Sequence, residues 1–136
     1  MKIWWNHWFS TAYHLINLMK NDNADITIIG TNSNPDCVYK MVCDEFYKEP
    51  SFKSTDEYLK YCLSFCQEHS VDVFVPRHNL TQIIKHKSEF EEIGTKLLAN
   101  TDYESVIITD DKIKTYQHLI LIFNQHIDKI QSLPVM

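Results

Sequence analysis

Short apolar runs that suit buried strands alternate along this chain with longer segments of helical periodicity. Lys2 to Trp5, Asp25 to Gly30 and Val71 to Pro76 are dense in aromatic and β-branched residues, as expected of strands buried on both faces of a sheet. Lys96 to Ala99 is a shorter candidate, and Met41 to Phe46 alternates weakly as a possible third strand. Strands that alternate with helices predict a doubly wound parallel sheet.

The predicted helices are recognised by capping residues and by apolar side chains at helical spacing. They are a helix from Ser10 or Thr11 to about Lys20, one from Ser54 or Thr55 to about His69, one from Leu80 to Ile93 stopped by Gly94, and the longest, capped by Thr109. A helical turn is also expected near Tyr103 to Ile107. The apolar faces of the first and last helices are predicted to be Ala12, Leu15, Ile16 and Met19, and Ile113, Tyr116, Ile120, Phe123 and Ile127.

Size and charge limit the classes of function that this chain can serve. Its 136 residues fit one domain. The formal net charge of -5 and the scattered basic residues provide no stripe that would follow a nucleic-acid backbone. The first nine residues lack the features of a signal peptide, and no run approaches the ~20 apolar residues of a membrane span. We therefore expect a cytoplasmic protein that binds neither nucleic acid nor membrane.

The cysteines are expected to be free thiols, because a cytoplasmic compartment is reducing. Cys62, Cys66 and His69 have the spacing of metal ligands on one helix, but three ligands on a short helix rarely close a tetrahedral site. The alternative is that Cys62 and Cys66 belong to an apolar stripe with Leu59 and Leu63, since free cysteine packs as a small hydrophobe. We expect no bound metal.

The ends of the predicted strands indicate where a ligand would bind, because ligands of such sheets lie outside the carboxyl ends of the strands. The polar or aromatic residues at these ends are Asn6, His7 and Trp8, then Thr31 and Asn32, then Arg77, His78 and Asn79. We predict that Asn6, His7, Arg77 and Asn79 bind substrate, since they offer an amide, an imidazole and a planar cation suited to a carboxylate. Alternatively, His7 only caps the following helix and Arg77 is a solvated surface charge.

The aromatic side chains near the first strand also allow two interpretations. Trp5, Trp8 and Phe9 could form the wall of a small-ligand site, or they could be core or interdomain packing.

Several motifs that would identify an enzyme class are missing from the sequence. There is no G-x-G-x-x-G, no G-x-x-x-x-G-K-[ST] and no G-x-S-x-G, which disfavours dinucleotide-dependent, P-loop and nucleophile-elbow enzymes. Asn6 and His7 stand where a two-component receiver needs an acidic pair for Mg²⁺.

Three segments of the sequence resemble the preATP-grasp domain: Asp72-Val-Phe-Val-Pro76, the short strand from Lys96 to Ala99, and Thr109-Asp-Asp-Lys112. That domain is a Rossmann-like, three-layer α/β/α domain that begins biotin carboxylase, the carbamoyl phosphate synthetase large subunit and many carboxylate-amine ligases. The opening, Lys2 to Thr11, resembles an ATP-grasp subgroup linked to tellurium-resistance biosynthetic operons. It departs from many members at Asn6 to Phe9, which replace a glycine-rich turn.

The resemblance implies that residues 1–131 form the preATP-grasp domain and that residues 132–136 begin the segment leading into a missing ATP-grasp domain. The intact enzyme would then use ATP and Mg²⁺ to activate a carboxylate as an acylphosphate and join it to an amine. Asp111 and Lys112 match an Asp-Lys pair of the family, so the resemblance assigns Lys112 to the phosphates of ATP; the alternative is that Lys112 only pairs with acidic neighbours.

No catalytic residue and no metal ligand are expected within the chain, because the resemblance places the magnesium carboxylates in the ATP-grasp domain. The isolated chain is therefore expected to be inactive and to hold no cofactor. The competing hypothesis is a stand-alone, non-catalytic Rossmann-like module for small-ligand binding or assembly. Apolar surface left uncovered by a missing domain would favour a homodimer.

Overall fold

A computed structural model describes residues 1–22, 25–99 and 102–131 of the chain. The chain divides into two compact units, residues 1–99 and 100–136. The extended segment predicted at residues 132–136 lies outside the described residues.

The first unit contains one sheet of five strands. The strands are β1 (Lys2–Asn6), β2 (Thr27–Asn32), β3 (Glu45–Lys48), β4 (Val73–Val75) and β5 (Lys96–Leu97). They lie in the order β3-β2-β1-β4-β5, and every neighbouring pair is parallel. The predicted parallel sheet is therefore confirmed, and the strand order reverses beside β1.

Helices follow the strands in the alternating order that the sequence predicts. The first unit has α1 (Thr11–Asp22), a 3₁₀ helix (Val38–Val42), α2 (Thr55–Glu68), α3 (Leu80–Lys85) and α4 (Lys87–Glu92). The second unit has α5 (Tyr103–Asp110) and α6 (Lys112–Gln131), which contact each other.

The sheet of the first unit is buried on both faces by two separate apolar cores. Trp4 of β1 points to one face, where it packs with Phe74 of β4 and with buried residues of α2, α3 and α4. Ile3 and Trp5 point to the opposite face, where α1 and the 3₁₀ helix cover the sheet. Alternation along β1 thus produces three layers, as expected for a Rossmann-like α/β/α fold.

The third strand lies later in the chain than predicted. Residues 38–42 form the 3₁₀ helix, which buries Tyr39 and Val42 against the sheet, and β3 begins only at Glu45. The loop predicted from Thr31 was also placed too early, because Thr31 and Asn32 still pair with β3. The weak alternation before β3 did not distinguish a short helical turn from a strand.

Two predictions about helix boundaries need correction. The helix predicted over Leu80 to Ile93 is broken at His86 into α3 and α4, although Gly94 ends the segment as predicted, at a φ of 84°. Thr109 does not cap the longest helix, because it lies in α5 and its hydroxyl donates to the carbonyl of Ser105. Asp111 is the cap instead, and its carboxylate accepts hydrogen bonds from the first amides of α6.

The predicted apolar faces are buried only in part. In α1, Ala12 and Ile16 are buried, but Leu15 is 45% exposed. In α6, Ile113, Tyr116, Ile120 and Phe123 of the predicted face are all exposed.

The cysteines are free, and Cys62 and Cys66 are buried within the core around Trp4. This supports the packing interpretation of the α2 stripe. Within the described ranges, no three potential ligand side chains are grouped as a metal site would require. None of the helices in these ranges has the length and apolar character needed to traverse a bilayer.

Candidate functional site

A cavity of about 460 Å³ opens at the carboxyl edge of the sheet. All strands are parallel, so the residues that follow them meet at this edge. The lining residues include His7 after β1, Ser33 after β2, Glu49 after β3, and His78 and Asn79 after β4, together with Tyr58 and the segment Pro50 to Thr55. The cavity therefore lies outside the carboxyl ends of the strands, where the sequence analysis expects a ligand to bind.

Glu49 is a buried carboxylate, with only 3% of the residue exposed. One carboxylate oxygen, Oε1, accepts a hydrogen bond of 2.5 Å from the hydroxyl of Thr31. The other, Oε2, lies 2.5 Å from Nε2 of His7. Because a buried charge is costly unless it is paired and hydrogen-bonded, these two partners explain how Glu49 is retained at the cavity.

His7 is held at the cavity from two sides. Its backbone has a φ of 49°, a left-handed conformation that is uncommon outside glycine, and its amide donates a 2.8 Å hydrogen bond to the carbonyl of Thr31. Its ring contacts Glu49 and also lies 4.6 Å from the ring of His78, with 31° between the ring planes. Strained backbone of this kind is concentrated at functional sites.

His78 completes a small group of titratable side chains in the cavity. Partial burial, followed by the charge of His7, lowers the pKa of His78 below its ordinary value, while Glu49 acts in the opposite direction. The ring of Tyr58 meets His78 edge to face at 4.9 Å. Burial raises the pKa of Tyr58 well above its usual range, so its hydroxyl stays protonated.

The beginning of α2 forms another wall of the cavity. Ser54 caps the helix by accepting a hydrogen bond from the amide of Glu57, and the Glu57 carboxylate accepts one from the amide of Lys53. These two hydrogen bonds fix the first turn, in a variant of the capping box in which Glu57 reaches the amide of Lys53 instead of that of Ser54. The partial positive charge at the amino end of the helix is offset by the carboxylates of Asp56 and Glu57 in the first turn, so Lys53 is the cationic residue of this wall.

The structure separates the four predicted substrate residues into two pairs. His7 and Asn79 line the cavity. Asn6 is fully buried, and both polar atoms of its side chain are engaged, by the Tyr58 hydroxyl and the Arg77 amide. The Arg77 guanidinium lies 4.7 Å from the centre of the Phe9 ring. Substrate binding by these four residues stays a prediction.

The aromatic residues after β1 are not among those that line this cavity. Trp5 is buried in the core that α1 covers, and Trp8 packs against the same core, with its indole N–H donating to the carbonyl of Val75. Phe9 is exposed beneath Arg77. These positions favour the packing interpretation for Trp5 and Trp8.

Lys112 belongs to the second unit, where it is the first residue of α6 and is exposed. No carboxylate of the described residues lies within ion-pair distance of its ammonium group. Its assignment to ATP stays a prediction.

Sequence reasoning left Glu49 and Tyr58 out of the candidate site and did not assign substrate binding to His78. Glu49 follows β3 directly. If the strand had been predicted at Glu45–Lys48, Glu49 would have been selected as a residue at the carboxyl end of a strand. The position of Tyr58 in the first turns of a helix carried no such signal.

Comparisons with known proteins bear on the fold alone. No family model matches the chain, and no curated protein sequence matches it either. Among solved structures, the biotin carboxylase subunit of pyruvate carboxylase matches over 85% of this chain with a TM-score of 0.57 and 15% sequence identity. The biotin carboxylase domain of a thermophilic 2-oxoglutarate carboxylase, bound to ADP, matches over 84% with a TM-score of 0.57 and 15% identity. The multifunctional pyruvate carboxylase from Rhizobium etli matches over 89% with a TM-score of 0.54 and 12% identity.

The chain spans only a small part of each of these proteins, covering 26% of the first two and 12% of the third. At such low identity the likeness establishes architecture and not activity. The chain has the Rossmann-like α/β fold of the N-terminal region of biotin carboxylases, the fold that the preATP-grasp resemblance implied.

Proposed function

We propose that this chain is the preATP-grasp domain of an ATP-dependent carboxylate-amine ligase and forms the substrate side of its active-site cleft. The observation that carries the proposal is the cavity at the carboxyl edge of a sheet with the biotin carboxylase fold. Its polar lining includes a buried carboxylate that is hydrogen-bonded to His7, and the capped amino end of a 14-residue helix.

The enzyme would transfer phosphate from ATP to a small carboxylate and then join the acyl group to an amine. Lys53, just before α2, offers a cation for the substrate carboxylate. His7 and Asn79 are the predicted substrate residues that face the cavity. Lys112 is proposed to contact the phosphates of ATP, as the family resemblance implies.

Catalytic groups for phosphate transfer are proposed to come from an ATP-grasp domain that follows this one. Mg²⁺ needs several oxygen ligands near the nucleotide phosphates, and the described part of the chain offers no group of carboxylates for them. The 136-residue chain alone should therefore hydrolyse no ATP. A cytoplasmic location, with its supply of ATP and Mg²⁺, belongs to the same proposal.

Hydroxylamine trapping of the acylphosphate tests this function. The protein expressed from its full reading frame is incubated with ATP, Mg²⁺, hydroxylamine and a panel of small carboxylates, and hydroxamate is measured. ATP-dependent hydroxamate with at least one carboxylate is expected, and an Asn79→Ala variant should raise the KM for that carboxylate. Asn21→Ala, an exposed position at the end of α1, is the matched control. A reading frame that ends near Met136, or no hydroxamate with any carboxylate, would refute the ligase.

A stand-alone binding module is the second candidate, because the cavity is formed wholly by residues of the first unit. In that case the 136-residue chain should bind a small carboxylate without ATP. Titration with acetate, succinate and glutamate, followed by amide NMR shifts, distinguishes the candidates. Saturable shifts confined to residues of the cavity, in a protein whose frame ends near Met136, would favour the module.

A further inference from the structure

We propose that His7 is the general base of this site, and that Glu49 is the positioning residue that orients it. This inference rests on the proposed function, in which an amine attacks an acylphosphate. It assigns the acceptor of the proton that the amine must lose.

The direction of the hydrogen bonds around Glu49 follows from the donors and acceptors available. The Trp4 indole nitrogen can only donate, and it lies 2.9 Å from the Thr31 hydroxyl oxygen. That hydroxyl therefore accepts from Trp4 and places its own proton on Oε1 of Glu49. Glu49 is thus an acceptor, and its other oxygen is left to receive the proton on Nε2 of His7.

This arrangement selects the tautomer of His7. With Nε2–H donating to Glu49, the neutral ring carries its lone pair on Nδ1. Within the part of the chain that the structure describes, no hydrogen-bond partner of His7 Nδ1 is found, and the ring lines the cavity. A carboxylate-oriented imidazole with one unoccupied nitrogen at a ligand cavity is the arrangement that general-base catalysis requires.

The groups around His7 support this role. The ring of His78 lies beside it at a tilt of 31°, and partial burial favours the neutral form of His78, so the wall beside the base is uncharged near neutral pH. The left-handed backbone at His7, and the hydrogen bond from its amide to the carbonyl of Thr31, hold the imidazole in one place. His7 and Glu49 are therefore both held in position before a ligand binds.

In the proposed step, Nδ1 of His7 first takes a proton from the ammonium form of the amine, which frees the nitrogen lone pair. The amine nitrogen uses its lone pair to form a bond to the carbonyl carbon of the acylphosphate. The bond from that carbon to the phosphate oxygen breaks, and phosphate leaves with the electron pair. The proton that the nitrogen loses as the amide forms leaves with the phosphate, and His7 later returns the proton on Nδ1 to water.

The experiment compares two nucleophiles on the full-reading-frame protein, with the carboxylate found in the hydroxamate assay. Hydroxylamine is largely unprotonated at neutral pH and can attack directly, whereas glycine and ammonia are largely protonated and must lose a proton before they attack. His7→Gln should reduce amide formation with glycine or ammonia by about 10²- to 10⁴-fold, the usual range for loss of a general base. Hydroxamate formation should fall by a smaller factor, because His7 acts there only as a residue of the carboxylate site, so the ratio of amide to hydroxamate should drop by about tenfold or more. Equal losses with both nucleophiles, or no loss of amide formation, would overturn the proposal.

Matched variants separate the base from its support. Glu49→Gln should give a smaller loss that again falls mainly on amide formation, and His14→Gln, on the exposed side of α1, should change neither reaction. Circular dichroism confirms that each variant is folded. A wild-type protein that forms no hydroxamate would overturn the ligase function and this proposal with it. Hydroxamate together with unchanged amide formation in His7→Gln would overturn this proposal alone.

A second measurement needs no activity and uses the 136-residue chain. Ring ¹⁵N shifts of neutral His7 should show the Nε2–H tautomer in the wild type and a mixture of tautomers in Glu49→Gln. A predominant Nδ1–H tautomer in the wild type would overturn the assignment of Nδ1 as the proton acceptor.

Discussion

The side-chain amide of Asn6 donates a 2.6 Å hydrogen bond to the hydroxyl of Tyr58, and both groups are buried. The Asn6 oxygen also accepts a hydrogen bond from the backbone amide of Arg77. One side chain at the end of β1 thereby connects α2 with the segment after β4. These connections determine the distance between two walls of the cavity.

Replacing Asn6 by alanine should lower the free energy of unfolding by about 2 kcal/mol, because a buried hydroxyl and a backbone amide would lose their partner. Urea denaturation measures this change. Asn21→Ala, at an exposed position, should change stability by less than about 0.5 kcal/mol. If both variants had the same stability as the wild type, the hydrogen bonds at Asn6 would not contribute to the fold.

Replacing Gly30 by alanine should destabilise the sheet by about 1 to 3 kcal/mol through overpacking. A Cβ atom at Gly30 would lie 2.5 Å from the sulfur of Cys43 and 3.0 Å from the Phe46 ring. Thermal denaturation measures the effect. The double variant with Cys43→Ala removes the closest atom and should recover part of the loss. Equal stability of the single and double variants would show that the thiol is not the limiting contact.

The strands and helices could be predicted largely because burial pattern and capping residues act locally. β4 and α2 follow from a dense apolar run and from Ser54 with acidic residues in the first turn, features that need no tertiary information. The 3₁₀ helix was missed because its residues are buried by contacts with α1, which is distant in sequence. Thr109 was predicted as the cap of the longest helix in place of Asp111 because three consecutive residues, Thr109 to Asp111, are all competent caps.

Only some residues of the candidate site could be predicted from the sequence. His7 and Asn79 could be selected because each follows a buried strand, and the parallel sheet brings such positions together. The role of Glu49 depends on hydrogen bonds to Thr31 and His7, which are distant in sequence. Asn6 and Arg77 occupy strand ends as well, but the direction in which a side chain points there is set by packing.

Labelling of the thiols should follow their burial. Cys62 and Cys66 are buried, and burial raises the pKa of Cys66 to about 12 and that of Cys43 also to about 12. Since the thiolate is the reactive form, iodoacetamide at pH 8 should modify the less buried Cys37 first and leave the others unmodified until the protein unfolds. Peptide mass spectrometry identifies the sites. Rapid modification of Cys62 in the folded protein would contradict its place in the core.

The stability of the protein should depend on the titration of His78. Partial burial and the charge of His7 lower its pKa in the folded state below the ordinary value of 6.5. As the pH falls through that value, the unfolded chain binds the proton more readily than the folded one, so the free energy of unfolding should decrease. Urea denaturation between pH 8 and pH 5 should therefore show a shallower decrease in His78→Gln than in the wild type. Above pH 8 both forms of His78 are neutral, and the difference between the two proteins should be constant. Parallel curves across the whole range would show that burial and His7 do not outweigh Glu49, which favours the protonated form of His78.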